Sequence, residues 1–194
     1  AYMKYKGKLN TNWSKKIPTA MFRGSATGCG TTIKNNPRLR LAYCNIKWAK
    51  NPKYNNKNPI DKIPYLDAGL TGKKLNFRKH MDNEYIQQLD EELVLSNDAI
   101  ETKVELASRI NMPEQSNYKY SITIEGYVSA FRTSYLFEFK SVVLYVNSEY
   151  EPWYFKFLKD YENVIFIKKD LSNLADTITW LKKNDDKAKK IAEN

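Results

Sequence analysis

The feature that most constrains the fold is a regular alternation of strand-like and helix-like segments after Tyr118. A β-rich alternating segment predicts a strand from about 119 to 125, and continuous apolar runs at 141–146 and 164–168 predict strands buried on both faces. Helical patterns lie between and after these strands, at 129–139, at 151–161, after 170 and from about 185. Strands and helices that alternate at this spacing predict a parallel α/β sheet with right-handed crossovers.

Three of these helices carry signals in their first turns. Pro152 suits the first turn of the helix at 151–161. Asp170 or Ser172 is expected to cap the next helix. The last helix, from about 185, has acidic residues first and lysines late, which matches the helix dipole.

The first half of the chain is consistent with the same architecture. A short strand is predicted at 18–25, ending in a glycine-rich turn, and a helix is predicted to begin near Pro37. A short strand and turn follow at 63–72. The charged stretch 73–112 repeats no strand–helix unit and predicts one or two helices on the flank of the domain, or an insertion. We therefore expect residues 1–194 to form a single α/β domain.

The composition is that of a globular protein, with 42% hydrophobic and 13% aromatic residues. Apolar runs all fall well short of the roughly 20 residues that cross a bilayer. The net charge of +10 predicts attraction to anions, although the plainer and preferred explanation is lysines scattered as solubilising charge. The start at Ala1, without Met, suggests a fragment of a longer protein, so the sequence assigns no compartment.

The cysteine and histidine content excludes several kinds of site. Cys29 and Cys44 form neither a disulfide framework nor a metal-binding pattern. The single histidine, His80, excludes a multi-histidine zinc site and lies in a charged stretch typical of a surface.

Two segments place small residues and an arginine where a ligand would bind. In an open parallel sheet, ligands bind beyond the carboxyl ends of the strands, near helix N-termini. One segment, 22–30, has the sequence FRGSATGCG; its glycines match neither the phosphate-loop pattern nor the dinucleotide fingerprint. The other has Gly126 at a strand end, small residues at 129–130 and Arg132 one turn later. A helix N-terminus with an arginine outlines a diphosphate site, and the plainer alternative is a turn and a solvated arginine.

Several motifs in a fixed order resemble one family. They are AMFRGSATG, NPRLRLA, LDAGLTG, YKYSITIEGYVSAFR, SVVLYVNSEYEPWYF and DLSNL. This ordered set resembles the CAP10-like glycosyltransferases, which include the protein O-glucosyl- and O-xylosyltransferases. The resemblance runs from about Trp13 to Asn194, nearly the whole chain.

The resemblance implies a two-lobed enzyme of the GT-B type. Such an enzyme transfers a sugar, here glucose or xylose, from a UDP-sugar to a hydroxyl of a protein or glycan, with inversion and without a metal or other cofactor. This chain would be the C-terminal, donor-binding lobe, Rossmann-like in fold. Residues 1–17 would lead in from an N-terminal lobe that holds the catalytic base, so we expect no catalytic residue in this chain.

The resemblance also implies which residues bind the donor. The expected set is Ser25, Arg38, Tyr127, Val128, Ser129, Ala130, Phe131 and Arg132. Secondary candidates are Arg23, Asp67 near the nucleoside, and Glu149 at the ribose. The turn after Ser25 lacks an arginine found in some members, and Arg38 or Arg40 is the expected replacement. Without a metal, Arg132 and the amides after Gly126 would stabilise the charge on departing UDP.

Two other functions are consistent with the residues alone. The first is a non-enzymatic basic α/β module that binds nucleic acid or another polyanion, although the sequence contains no RNA- or DNA-binding motif. The second is a degenerate sugar-binding or scaffold domain that keeps the fold without catalysis. On the glycosyltransferase interpretation, nucleic acid is not an expected partner.

Overall fold

The computed structural model describes residues 7–54, 63–78, 104–127 and 130–194. Within these residues the chain forms a five-stranded sheet in the order β2-β1-β3-β4-β5, and every neighbouring pair is parallel. The strands are β1 (Ile17–Cys29), β2 (Leu66–Arg78), β3 (Tyr118–Thr123), β4 (Val142–Val146) and β5 (Ile165–Ile167). The predicted parallel α/β sheet, Rossmann-like in arrangement, is confirmed.

Five α-helices accompany the sheet in the described ranges. They are α1 (Pro37–Ala49), α2 (Met112–Gln115), α3 (Thr133–Phe137), α4 (Leu174–Lys183) and α5 (Asp185–Glu193). Two short 3-10 turns are Trp13–Lys15 and Phe155–Phe157. Among the described helices, none combines the length and apolar character that crossing a membrane would require.

The core lies on both faces of the sheet, as β4 shows. Val142, Leu144 and Val146 belong to the larger cluster, which includes residues of α1, α4 and α5. Val143 and Tyr145 belong to the smaller cluster on the other face. Side chains of a strand alternate between faces, so burial on both sides explains the continuous apolar run in the sequence.

The strand order creates a crevice at one point of the sheet. From β1 the chain passes through α1 to β2 on one side, whereas β3 pairs with the other side of β1. Connections that leave in opposite directions open a space beyond the carboxyl ends of β1 and β3. This switch point is where the fold favours a ligand.

Two strands are longer than predicted. β1 continues through the glycine-rich stretch to Cys29, with a register shift between Ser25 and Thr27. β2 continues to Arg78 because Thr27, Gly28 and Cys29 pair with residues 76–78 across the same shift. The first residues of the predicted charged helical insertion 73–112 are therefore strand.

The predicted helix at the end of that insertion is wrong where the structure describes it. Residues 104–110 have no helix, and the Ala107 amide donates to the Leu70 carbonyl at 2.7 Å. Pairing with the edge strand β2 thus replaces the local helical preference. The rest of the insertion, and His80 with it, lies outside the described residues.

The predicted helix at 151–161 is also wrong, since only the 3-10 turn Phe155–Phe157 forms there. Asn163 explains the difference: its side chain accepts from the Lys159 amide at 2.9 Å and donates to the Phe157 carbonyl at 3.1 Å. Such bonds offer the backbone an alternative to the helix. Trp153 is 81% exposed, so the segment also lacks a buried helical stripe.

Two helix starts differ from prediction as well. The helix expected over 129–139 is the shorter α3, Thr133–Phe137. At α4, neither Asp170 nor Ser172 is the cap; the cap position is Asn173, whose side-chain oxygen accepts instead from the Lys168 amide at 2.9 Å. The helices predicted near Pro37 and from about 185 are confirmed as α1 and α5.

Candidate functional site

Arg38 lies in the first turn of α1, and its guanidinium fills the switch point. Nη1 donates to the Ser25 carbonyl at 2.9 Å and to Thr27 Oγ1 at 2.8 Å, both on β1. Nε donates to the Glu125 carbonyl at 2.8 Å, and Nη2 to the Ile124 carbonyl at 2.9 Å, both just beyond β3. The residue is only 8% exposed. Burial, and then the charge of a neighbouring arginine, lowers its pKa to about 10.

The start of α1 is fixed locally, which places Arg38. Asn36 is the cap residue, and its side-chain oxygen accepts from the Leu39 amide at 3.0 Å. Its side-chain nitrogen donates to the Gly30 carbonyl at 3.0 Å, tying the helix start to the end of the glycine-rich stretch. Pro37 takes the first helical position, as its fixed φ favours.

Gly126 packs directly on this arginine. A Cβ at position 126 would lie 3.0 Å from Thr27 Oγ1 and 3.1 Å from Arg38 Nη2. Glycine is therefore needed here for a close approach and not to end the strand, because β3 already ends at Thr123.

Arg132 supplies a second cation at the same place. Its guanidinium carbon lies 5.9 Å from the centroid of the Phe22 ring, and the Arg38 guanidinium lies at the same distance from that ring. The ring packs over Gly24, where a Cβ would come within 2.5 Å of Phe22 Cζ. Burial, and then the charge of Arg109, lowers the pKa of Arg132. Among the described residues, no carboxylate forms a salt bridge with Arg38 or Arg132.

These residues line a cavity of about 350 Å³, which we call the arginine groove. Its lining residues are Gly24, Ser25, Thr27, Arg38, Gly126, Tyr127, Ala130, Phe131 and Arg132. The structure thus brings together every described residue of the expected donor-binding set. Phe131 stands at the rim, 93% exposed. Val128 and Ser129 were also predicted to bind the donor, and they lie outside the described residues.

The helix N-terminus is not where the sequence predicted it. α3 begins at Thr133, after Arg132, and the Thr133 amide already donates to the Ala130 carbonyl at 3.0 Å. A helix of five residues has a weak dipole. The positive character of the groove therefore comes from the two arginines.

A second cavity of about 320 Å³, the glutamate pocket, adjoins the groove and shares Gly126 and Tyr127 with it. Its walls are formed by the ends of β1, β3, β4 and β5 and by the loops that follow them. Its lining residues are Gly28, Cys29, Gly30, Asn35, Asn36, Pro37, Ile124, Glu125, Gly126, Tyr127, Val146, Asn147, Ser148, Glu149, Tyr150 and Lys169. Two carboxylates and one lysine give it both acceptors and a donor.

The two carboxylates of this pocket differ in environment. Glu125 is half-buried, and burial raises its pKa, although a hydrogen bond from Ser148 and the charges of Arg38 and Lys169 oppose that rise. Glu149 is exposed, and the hydrogen bond and charge of Lys169 lower its pKa; Lys169 Nζ lies 2.6 Å from its Oε1. Sequence reasoning missed Glu125, whose signal was a carboxylate between a buried strand and Gly126.

Two secondary candidates lie elsewhere. Arg23 and Asp67 form an ion pair at 2.7 Å, and the Tyr118 hydroxyl donates to the other Asp67 oxygen at 2.9 Å. Neither residue lines the arginine groove or the glutamate pocket. Arg40 also points away, since it donates to the carbonyls of Ile33 and Lys169. Of the two possible replacements for the missing arginine, the structure brings Arg38 to the groove.

The described residues contain no group of three or more His, Cys, Asp or Glu side chains positioned to hold a metal ion. What they do contain is two guanidinium groups beside a half-buried carboxyl group. Guanidinium groups bind phosphate through charge-assisted hydrogen bonds, and carboxylates accept hydrogen bonds from hydroxyl groups. The arrangement suits an anion that also carries hydroxyls.

Comparison with known proteins gives the family. The sequence profile described as glycosyl transferase family 90 matches residues 3–194. The chain is 35% identical over 199 residues to a protein named "Uncharacterized protein 179R" of Invertebrate iridescent virus 6, an alignment that covers 97% of this chain and 15% of that protein.

Two human relatives have names that describe an enzymatic activity. The chain is 28% identical to human protein O-glucosyltransferase 3, over 96% of this chain and 29% of the relative. It is 29% identical to human protein O-glucosyltransferase 1, over 93% of this chain and 36% of the relative. The chain thus spans about a third or less of the length of these relatives. The match over nearly its full length confirms the resemblance to CAP10-like enzymes, and the chain belongs to glycosyl transferase family 90.

Proposed function

We propose that this chain is the donor-binding lobe of a GT-B type glycosyltransferase and that its crevice binds a UDP-sugar. The observation that carries the proposal is the pair of guanidinium groups, from Arg38 and Arg132, which meet at the switch point and form no salt bridge with a carboxylate among the described residues. Two like charges held together favour an anion between or beside them. Membership of a glycosyltransferase family supports the diphosphate of a sugar nucleotide as that anion.

On this proposal, the diphosphate occupies the arginine groove and the nucleoside occupies the glutamate pocket. The shared residues Gly126 and Tyr127 would then lie at the junction between phosphate and ribose. Carboxylates accept hydrogen bonds from ribose hydroxyls, and the pocket offers Glu125 and Glu149 for that purpose. The volume of the pocket, about 320 Å³, is at the small end of the range for ligand sites.

The reaction we propose is the transfer of glucose or xylose from UDP to a hydroxyl of a protein or glycan, with inversion and without a metal. As the glycosidic bond breaks, negative charge develops on the β-phosphate, and Arg132 stabilises it. The base that deprotonates the acceptor hydroxyl would belong to an N-terminal lobe. The names of the human relatives, both protein O-glucosyltransferases, support glucose and a protein acceptor.

Calorimetry on the isolated chain tests the proposal. UDP and UDP-glucose should bind, and UDP should bind more tightly than uridine because the arginines act on the diphosphate. If UDP binds no better than inorganic diphosphate, the site does not recognise a nucleotide, and the proposal is wrong.

A second titration separates this proposal from general binding of polyanions. The net charge of +10 will draw random-sequence DNA to the surface at low salt. Binding of UDP should persist in the presence of that DNA and should depend only weakly on salt. Steep salt dependence of DNA binding, combined with no measurable binding of UDP, would favour a nucleic-acid-binding module.

A further inference from the structure

We propose that Arg38 is a positioning residue that sets the width of the crevice and acts on the bound donor through the main chain. This inference rests on the proposed function, since the donor is the UDP-sugar proposed above. It assigns direct contact with the diphosphate to Arg132. The two arginines of the groove therefore have different roles.

The hydrogen bonds of Arg38 support this division. A guanidinium has five N–H donors, and four of those of Arg38 are occupied by hydrogen bonds to the protein, at 2.8 to 2.9 Å, which leaves one N–H on Nη2. Only 8% of the residue is exposed. Arg132, by contrast, is half-buried and donates no hydrogen bond to any described residue, so no described acceptor competes with a ligand for its donors.

The strand pairing shows what Arg38 holds together. β1 and β3 pair at Ile17–Tyr118, Ala20–Tyr120 and Met21–Ser121, and no pair beyond Met21 follows in the described register. Past that point the main-chain ladder no longer joins the two segments, although they stay close: a Cβ at Gly28 would lie 3.4 Å from the Gly126 carbonyl oxygen. The Arg38 side chain joins them instead, by hydrogen bonds to Ser25 and Thr27 on one side and to the carbonyls of residues 124 and 125 on the other.

Gly126 transmits the position of Arg38 to the ligand. Its Cα packs so closely on the guanidinium that an added Cβ would come within 3.1 Å of Nη2. Gly126 and Tyr127 line both cavities, so any displacement of Arg38 changes the walls of the arginine groove and of the glutamate pocket together. Loss of Arg38 should therefore weaken binding of the nucleoside as well as of the diphosphate.

The test compares Arg38→Lys with Arg132→Ala, each titrated with uridine and with UDP by protein-observed NMR. Lysine keeps the charge but cannot bridge four acceptors in one plane. We expect Arg38→Lys to weaken the binding of uridine and the binding of UDP by a similar factor, about tenfold or more. Arg132→Ala should weaken the binding of UDP and leave the affinity for uridine within about twofold of the wild-type value. Loss of UDP binding with unchanged uridine binding in Arg38→Lys would overturn the inference, because it would indicate direct phosphate contact.

Amide hydrogen exchange tests the same inference without a ligand. Arg38→Lys should speed exchange in 24–30 and in 125–127, whereas Arg132→Ala should leave these amides unchanged. Unchanged exchange in Arg38→Lys would refute the positioning role even if UDP binds. If the wild-type chain binds neither uridine nor UDP while exchange changes as expected, the proposed function fails and the role of Arg38 as a structural bridge stands.

Discussion

Replacing Arg132 with alanine separates the contribution of this side chain to binding from its contribution to stability. The guanidinium donates no hydrogen bond to a described residue, so its removal leaves no acceptor among those residues without a donor. The contact that is lost is the one with the Phe22 ring, at 5.9 Å. Cation–π contacts are worth about 0.5 to 2 kcal/mol. Arg132→Ala should therefore lower the free energy of unfolding by about 1 kcal/mol and leave the chain folded.

The effect on binding should be larger. A hydrogen bond that involves a charged group contributes about 1.5 to 3 kcal/mol, which corresponds to a loss of roughly 10- to 150-fold in affinity. Removal of Arg132 also relieves the pKa depression that its charge imposes on Arg38. Because Arg38 is fully protonated at neutral pH in either case, this relief does not change its charge, and we expect a loss within the stated range.

Isothermal titration calorimetry with UDP at two salt concentrations measures this effect. The matched control is Lys190→Ala, which removes one positive charge from an exposed position on α5. Lys190→Ala should bind UDP as the wild type does. If folded Arg132→Ala binds UDP within twofold of wild type, or if the control loses as much, the assignment of Arg132 to the diphosphate is refuted.

Three further predictions concern the rest of the fold. Burial lowers the pKa of Lys16 from 10.5 to about 8, so the folded chain binds fewer protons than the unfolded chain between these values. The free energy of unfolding should rise by about 1 kcal/mol from pH 7.5 to 9.5 in the wild type, and urea titrations of Lys16→Met should lack this rise. Gly69→Val should lower the free energy of unfolding by about 2 kcal/mol in the same assay, because a Cβ there would lie 2.4 Å from the Cβ of Ala107; a stability equal to wild type would contradict that contact. Thr27→Val keeps the shape of the side chain but removes a hydrogen-bond acceptor of Arg38, so it should lower the free energy of unfolding by about 1 kcal/mol. It should also weaken UDP binding less than Arg38→Lys does. A larger loss of UDP binding would contradict that ranking.

The parts of the fold that could be predicted are those set by local sequence. The buried strand at Val142–Val146 could be predicted because both its faces are apolar, and α1 could be predicted because Pro37 is a strong start signal. The arginine segment could also be located, since a glycine after a strand and an arginine soon after are neighbours in the chain. Family motifs then indicated which ligand to expect.

The predictions that failed concern residues whose partners lie far away in the sequence. The contacts of Arg38 with the carbonyls of Ile124 and Glu125 join residues more than 80 positions apart, so its burial and bridging role had no local signal. Ala107 likewise leaves the helical pattern because the edge of β2 offers its amide a partner in Leu70. The family motif indicated Asp67 as a donor-binding candidate. Its carboxylate instead forms an ion pair with Arg23 and accepts a hydrogen bond from the Tyr118 hydroxyl.

A crystal structure of this chain with UDP tests the central claim most directly. We predict the diphosphate in the arginine groove, with its oxygens within about 3 Å of the Arg132 guanidinium, and the uridine in the glutamate pocket. Arg38 should keep its four hydrogen bonds to the ends of β1 and β3. UDP bound at another surface, with the groove between Ser25 and Arg132 empty at saturating concentration, would contradict the account.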